Sequence, residues 1–189
     1  MTTEIRQLSL ADVAELLLWA KAEGWNPGVD DAMPFHAADP AGFLGAFVNG
    51  RMAAGISAVA SGPDFGFLGL YICHPDFRGR GYGRRVWEAG MVHLGDRTIG
   101  LDGVPAQQQN YRSMGFEPAY RTWRYSGRFV PKHVDPSVVA ISSSSLATLM
   151  EFDRLHYPGP RSEFLGYWLD EPHIPRWPCC CIWRAAKMP

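Results

Sequence analysis

An α/β fold built on one mixed sheet is what the sequence predicts, in the order β-α-α-β-β-β-α-β-α-β. Three observations lead there. Apolar runs of strand length alternate with stretches of helical periodicity. The pair Asn49-Gly50 joins two adjacent apolar runs, a strong local hairpin signal. A nearly continuous apolar run, Phe65–Cys73, leads directly into a glycine-rich turn and then an amphipathic stretch.

Glu4–Gln7 is short and reads as a first strand. Ser9 follows as an N-cap, with Asp12 three residues on in a capping-box arrangement. Val13, Leu16, Leu17 and Ala20 fall at helical spacing, which predicts a helix over 10–23 closed by Gly24. Trp25-Asn26-Pro27-Gly28 is a turn carrying a large aromatic. A shorter helix is expected over 29–38, interrupted at Pro34. Phe43–Val48 and Met52–Ala60 form the hairpin, Gly62-Pro63-Asp64 turns the chain, and Phe65–Cys73 is a strand buried on both faces. Gly83, Val86, Trp87, Gly90, Met91 and Leu94 trace one stripe of the next helix. Thr98–Val104 reads as a strand, Pro105 opens a short helix through Met114, and Phe116–Ser126 reads as the last strand.

The remainder, from 127 on, behaves differently. Val138–Ile141 reads as a strand, Ser143–Tyr157 and Arg161–Leu169 as helices, and the final stretch is rich in Pro and Trp without periodicity. The expected organisation is one domain over 1–128 and a C-terminal extension over 129–189.

Composition narrows the function classes. Hydrophobic content of 47% and charged content of 20% belong to an ordinary globular chain rather than a disordered one. A net charge of -1 gives no overall attraction to nucleic acid or anionic membrane, so neither is an expected partner. No apolar run is long enough to span a bilayer, and the start MTTEIRQLSL lacks a signal-peptide pattern, so a cytoplasmic protein is expected. Cys73 stands alone and Cys179, Cys180 and Cys181 are adjacent, which is neither a disulfide framework nor a spaced metal site. No metal centre is expected. The charge is uneven. Residues 1–40 carry seven carboxylates against two cations, while residues 78–128 carry nine arginines against four carboxylates.

The chemistry concentrates in Arg78-Gly79-Arg80-Gly81-Tyr82-Gly83, between the buried strand and the helix. Three alternate glycines permit close backbone approach, and the amides at a helix start have no intrahelical partners. The helix dipole favours negative charge at that spot, and Arg78, Arg80, Arg84 and Arg85 surround it. The implied ligand is a di- or polyphosphate. A P-loop would need Lys and Ser/Thr after its last glycine, and a Rossmann fingerprint would need a third glycine where Arg84 stands.

The stretch Leu70-Tyr71-Ile72-Cys73-His74-Pro75-Asp76-Phe77-Arg78-Gly79-Arg80-Gly81-Tyr82-Gly83 resembles motif A of the GNAT superfamily of acyl-CoA-dependent N-acyltransferases, with Arg78, Gly81 and Gly83 at its defining positions. Asn110-Tyr111-Arg112-Ser113-Met114-Gly115-Phe116 resembles motif B. Together they cover roughly residues 4–126. The resemblance implies a sheet splayed between its fourth and fifth strands, with acetyl-CoA in the splay. It implies main-chain bonds from Ile72 and Cys73 to the pantetheine arm, and a pyrophosphate cradle made by Arg78, Gly79, Arg80, Gly81, Tyr82 and Gly83. It makes Tyr111 the acid that protonates the leaving thiolate. Many members carry Asn where this chain has Val104, leaving Gln107 and Gln108 as the nearby amides.

The implied reaction is direct transfer of an acetyl group to a primary amine, on a small molecule or a peptide, with Cys73 structural and its amide polarising the thioester carbonyl. Glu23, Asp102, His36 and His74 are the candidate bases. The acidic first segment, with Trp25, lines the acceptor side and suits a cationic amine. A non-catalytic acyl-CoA-binding module and an RNA-binding domain using the arginine loop are the competing readings, and a homodimer is left open. The extension resembles the start of a second, shortened GNAT lobe, over Glu151–Tyr157 and Arg161–Leu165.

Overall fold

The computed structural model describes residues 2–28, 30–121, 123 and 146–170. Strand β1 (Thr3–Gln7) leads into α1 (Leu10–Ala22) and α2 (Ala32–Ala38). Strands β2 (Phe43–Val48), β3 (Arg51–Ser61) and β4 (Phe65–Cys73) form an antiparallel meander. Helix α3 (Tyr82–Leu94) crosses over to β5 (Thr98–Leu101), which pairs parallel with β4. A 3-10 turn at Pro105–Gln107 precedes α4 (Gln108–Ser113). The extension contributes α5 (Leu146–Arg154) and α6 (Ser162–Asp170). The sheet order is β1-β2-β3-β4-β5.

Local chemistry explains the elements that frame the site. At the start of α1, the Asp12 amide donates to Ser9 Oγ at 3.2 Å and the Ser9 amide donates to Asp12 Oδ2 at 2.8 Å, closing the capping box. At its end, Gly24 takes φ +81°, its amide donates to Lys21 O, and the Trp25 amide donates to Ala20 O. This is a Schellman motif, and it fixes where the chain delivers Trp25. Helix α2 runs through Pro34 instead of stopping there. Pro34 is its third residue, in the turn whose amides have no intrahelical acceptor, so its missing N–H costs nothing.

Helices cover both faces of the sheet. Leu8, Val13, Leu16 and Ala20 pack with Phe43, Phe47, Met52 and Ile72 on one face. On the other, Val86, Trp87 and Leu94 of α3 pack on Ala46, Ala54, Ile56, Ala58 and Leu68. Small residues along β2 and β3 let α3 lie close to the sheet.

Two strand expectations change. Strand β5 stops at Leu101 rather than Val104, because Gly103 lies beneath an aromatic ring and Pro105 begins the 3-10 turn. The expected last strand over Phe116–Ser126 joins no ladder within its described part, residues 116–121 and 123. Pro118 cannot donate to a ladder, and the Phe116 ring is engaged with Trp87 at 5.8 Å. Val138–Ile141 and the cysteine run Cys179–Cys181 lie outside the described residues.

The extension packs on the first helices rather than apart from them. Phe164 stacks on Phe35 of α2 at 6.0 Å and Leu165 is buried. Tyr157 meets Phe65 edge to face at 5.6 Å.

Candidate active site

Strands β4 and β5 part company midway. Their parallel ladder pairs Phe65 to Leu68 with Thr98 to Leu101 and then ends, while β4 continues to Cys73. A bulge in β4 accompanies the split. Gly69 faces Ser57 and Ile72 faces Gly55, so Leu70 and Tyr71 together oppose Ile56. Leu70 pays for the bulge with φ +46°, an uncommon conformation for a branched aliphatic residue.

Main-chain direction past the bulge follows from the ladder. His74 donates its amide to Ala53 O at 2.9 Å, and Ile72 is in register with Gly55. Strand alternation therefore sends the polar groups of Ile72 to β3 and those of Tyr71 and Cys73 into the splay. Of the two residues expected to meet a pantetheine arm, Cys73 is presented to the splay and Ile72 is engaged in the sheet.

The cleft between the diverging strands is lined by Trp25, Leu68, Gly69, Leu70, Tyr71, Trp87, Leu101, Asp102 and Tyr111. Tyr111 is half-buried, its ring 6.0 Å from Trp87 and 6.4 Å from Phe116. Burial pushes its phenol above the ordinary range. Tyr71 is raised too, by burial first and then by Tyr111 and Cys73 as neighbours. Gly103 lies against Tyr111, and a Cβ there would sit 2.9 Å from the ring. Any larger residue would move the phenol.

At the other end of β4, Phe77 is buried against Val48 and Ala53 and anchors the turn that follows. Beyond it Gly79 and Gly81 take φ +74° and +82°, and Gly81 caps α3. The space a Cβ would enter at either glycine is open. The amides from Gly79 to Tyr82 meet no acceptor among the described residues, so they form a concave set of donors at a helix mouth. Donors set at a helix N-terminus in this way favour an anion. Gly83 is fixed by packing instead, since a Cβ there would meet the Tyr71 hydroxyl at 3.1 Å.

The arginines divide. Arg84 pairs with Glu88 one turn on, at 2.8 Å. Arg80 and Arg85 have no partner among the described residues. Arg78 turns away from the loop: its Nε donates to Cys73 O at 3.0 Å, and its Nη2 forms an ion pair with Glu23 at the end of α1. Arg78 thus ties β4 to α1 beside the cleft, and Glu23 is neutralised by it.

Cys73 behaves as a packed thiol. Burial pushes it up, more than Arg78 and the Gly83 amide pull it down, and its Sγ donates to Ala53 O at 3.4 Å. His74 accepts the Asp76 amide and packs on Trp19 at 5.1 Å; His36 bonds Leu8 O at 3.2 Å. Neither lines the cleft. Among the described residues no cluster of His, Cys, Asp and Glu is arranged to hold a metal ion. No described helix is long and apolar enough to cross a membrane.

Tyr71, Trp87 and Gly103 were not anticipated as parts of the site. The one signal for Tyr71 was a phenol inside an otherwise apolar strand.

Comparison with known proteins matches this geometry. The sequence model of the Acetyltransferase (GNAT) family matches residues 10–116. Holothin acyltransferase of Pseudoalteromonas sp. (strain SANK 73390) is 33% identical over 151 residues, which is 79% of this chain and 51% of that protein. The chain therefore spans about half the length of that relative. Among solved structures, a candidate acetyltransferase from Pyrococcus horikoshii superposes with a TM-score of 0.73 at 18% identity, over 88% of this chain and 61% of that one. A candidate acetyltransferase from Clostridium acetobutylicum, solved with acetyl-CoA, gives 0.51 at 16% identity, over 66% of this chain and 96% of that one. These two likenesses show the fold; the family match shows the lineage. The chain belongs to the GNAT acetyltransferase family.

Proposed function

We propose that the protein transfers an acetyl group from acetyl-CoA to a primary amine, on a small molecule or a peptide, by direct attack within the β4–β5 splay. The observation that carries this reading is the alignment of parts along β4. A donor-lined helix mouth stands at its C-terminal end, and a cleft holding a buried phenol opens at its bulge.

The amides of Gly79, Arg80, Gly81 and Tyr82 would hold the pyrophosphate, with Arg80 and Arg85 adding charge beside them. The Cys73 amide, directed into the splay, would polarise the thioester carbonyl. The Cys73 carbonyl would accept from the pantetheine arm once Arg78 yields it, so Arg78 acts on the strand edge rather than on phosphate. The amine nitrogen then attacks the carbonyl carbon. An acceptor bound as ammonium first gives one proton to water; the new C–N bond forms, the C–S bond breaks, the nitrogen loses a second proton to water, and Tyr111 gives its proton to the departing sulfur and regains one from water. A phenol raised by burial is fully protonated at neutral pH, the state an acid needs. The Cys73 thiol, held protonated and engaged with Ala53 O, takes no covalent part.

The similarity to an acyltransferase supports an acyl donor. The free Cys73 thiol suits a reducing compartment, and we place the protein in the cytoplasm.

Tyr111→Phe is the test. It should lower kcat about 10²-fold, the lower range for loss of a positioned proton donor. Acetyl-CoA affinity by calorimetry should hold. Unchanged turnover would return Tyr111 to a packing role, and absence of acetyl-CoA binding by the wild-type chain would end the reading altogether.

A further inference from the structure

We propose that Asp102 anchors the acceptor, and that the acceptor is a small amine carrying positive charge. The inference rests on the transferase reading and adds the substrate class.

Asp102 is the first residue past the last ladder pair of β5, where that strand parts from β4. Among the described residues it is the only charged side chain lining the cleft. Among the described residues it has no hydrogen bond and no ion pair. Asp102 is exposed to solvent at the edge of the cleft, whose aromatic walls are Trp25, Tyr71, Trp87 and Tyr111. Ring faces carry negative potential, so a carboxylate beside them favours a cation and disfavours an anion.

The acidic N-terminal segment does not compete for this role. Glu23 is neutralised by Arg78 and Asp12 by Arg6 at 2.9 Å. Asp31 holds the Gly28 amide at 2.7 Å. Asp39 bonds His93 at 2.7 Å and the Gly42 and Ala60 amides at 3.1 and 2.9 Å. Of the acidic residues expected on the acceptor side, Glu23 is thus paired and Asp31 is engaged with backbone, and neither lines the cleft, whereas Asp102 does. The basic loop lies at the helix mouth, so the bulge and the C-terminal end of β4 lie beside groups of opposite charge.

The full chain is assayed with acetyl-CoA and two acceptors of similar shape: phenethylamine, protonated at neutral pH, and p-toluidine, neutral there. Wild type should favour phenethylamine in kcat/KM. Asp102→Asn should lower that preference about fivefold, the scale of a solvent-accessible ion pair, mainly through the KM for phenethylamine. Asp102→Glu should restore part of it. A preference unmoved by Asp102→Asn overturns the proposal, as does acetylation of p-toluidine alone or of neither amine. Calorimetry of acetyl-CoA on each variant separates these outcomes from failure of the transferase reading, which would appear as absent cofactor binding in wild type.

Discussion

Tyr111 depends for its position on a residue with no side chain. Gly103 lies beneath its ring at a separation that leaves no room for a methyl group. Trp87 and Phe116 close the other sides. Gly103→Ala should therefore tilt the phenol out of the cleft and leave the helix mouth at Gly81 intact. The expected result is a fall in kcat of about tenfold, within the range for a small misplacement of a reacting group, with acetyl-CoA affinity retained. Steady-state kinetics alongside calorimetry would check it. Equal loss of both would mean the substitution had damaged the strand instead.

Helix α1 is held at both ends by short-range chemistry, and its C-terminal end delivers Trp25 to the cleft. At its N-terminal end, burial alone would raise the Asp12 carboxyl. Hydrogen bonds from Arg6 and Ser9 outweigh that and hold it below its ordinary value. A carboxyl depressed in the folded state stabilises above the unfolded pKa, about 3.9, and that stabilisation is lost as pH falls through the folded value. Asp12→Asn should cost about 1 kcal/mol at neutral pH, the usual worth of a cap. The gap to wild type should close as pH falls below about 4. Urea unfolding at a series of pH values would show the two curves converging; a constant gap would assign the cost to packing.

At the scale of the whole molecule, the extension is packed into the first domain. Phe164 lies on Phe35, Leu165 is buried, Pro160 touches Gly62 and Tyr157 covers Phe65. We propose that the described part of the extension, 146–170, folds together with the first domain although the sequence divides them. Leu165→Ala should then cost about 2 kcal/mol, the low end for a buried leucine truncation, and shift a single unfolding transition. Calorimetric scanning checks this. A second, separate transition that alone moved would mark an independent unit.

The Ser9–Asp12 cap, the Asn49-Gly50 hairpin, the α3 stripe and the glycine loop were legible in the sequence. Each is decided by neighbours within a few residues, through turn conformation, capping or helical period. The family, too, was legible, because both of its motifs are local strings. Boundaries set by distant partners were not: β5 ends early and the strand expected after Phe116 is absent from its described part. Nor did sequence disclose that Arg78 serves Cys73 and Glu23, that Tyr71 shares the cleft with Tyr111, or that Asp102 lines it with no ion pair among the described residues. Those facts turn on which side chains meet across the splay from separate elements. What the chain by itself determined was its elements and its anion cradle; tertiary packing decided which of its charges remain available to a substrate, because pairing is a property of neighbours in space and not in sequence.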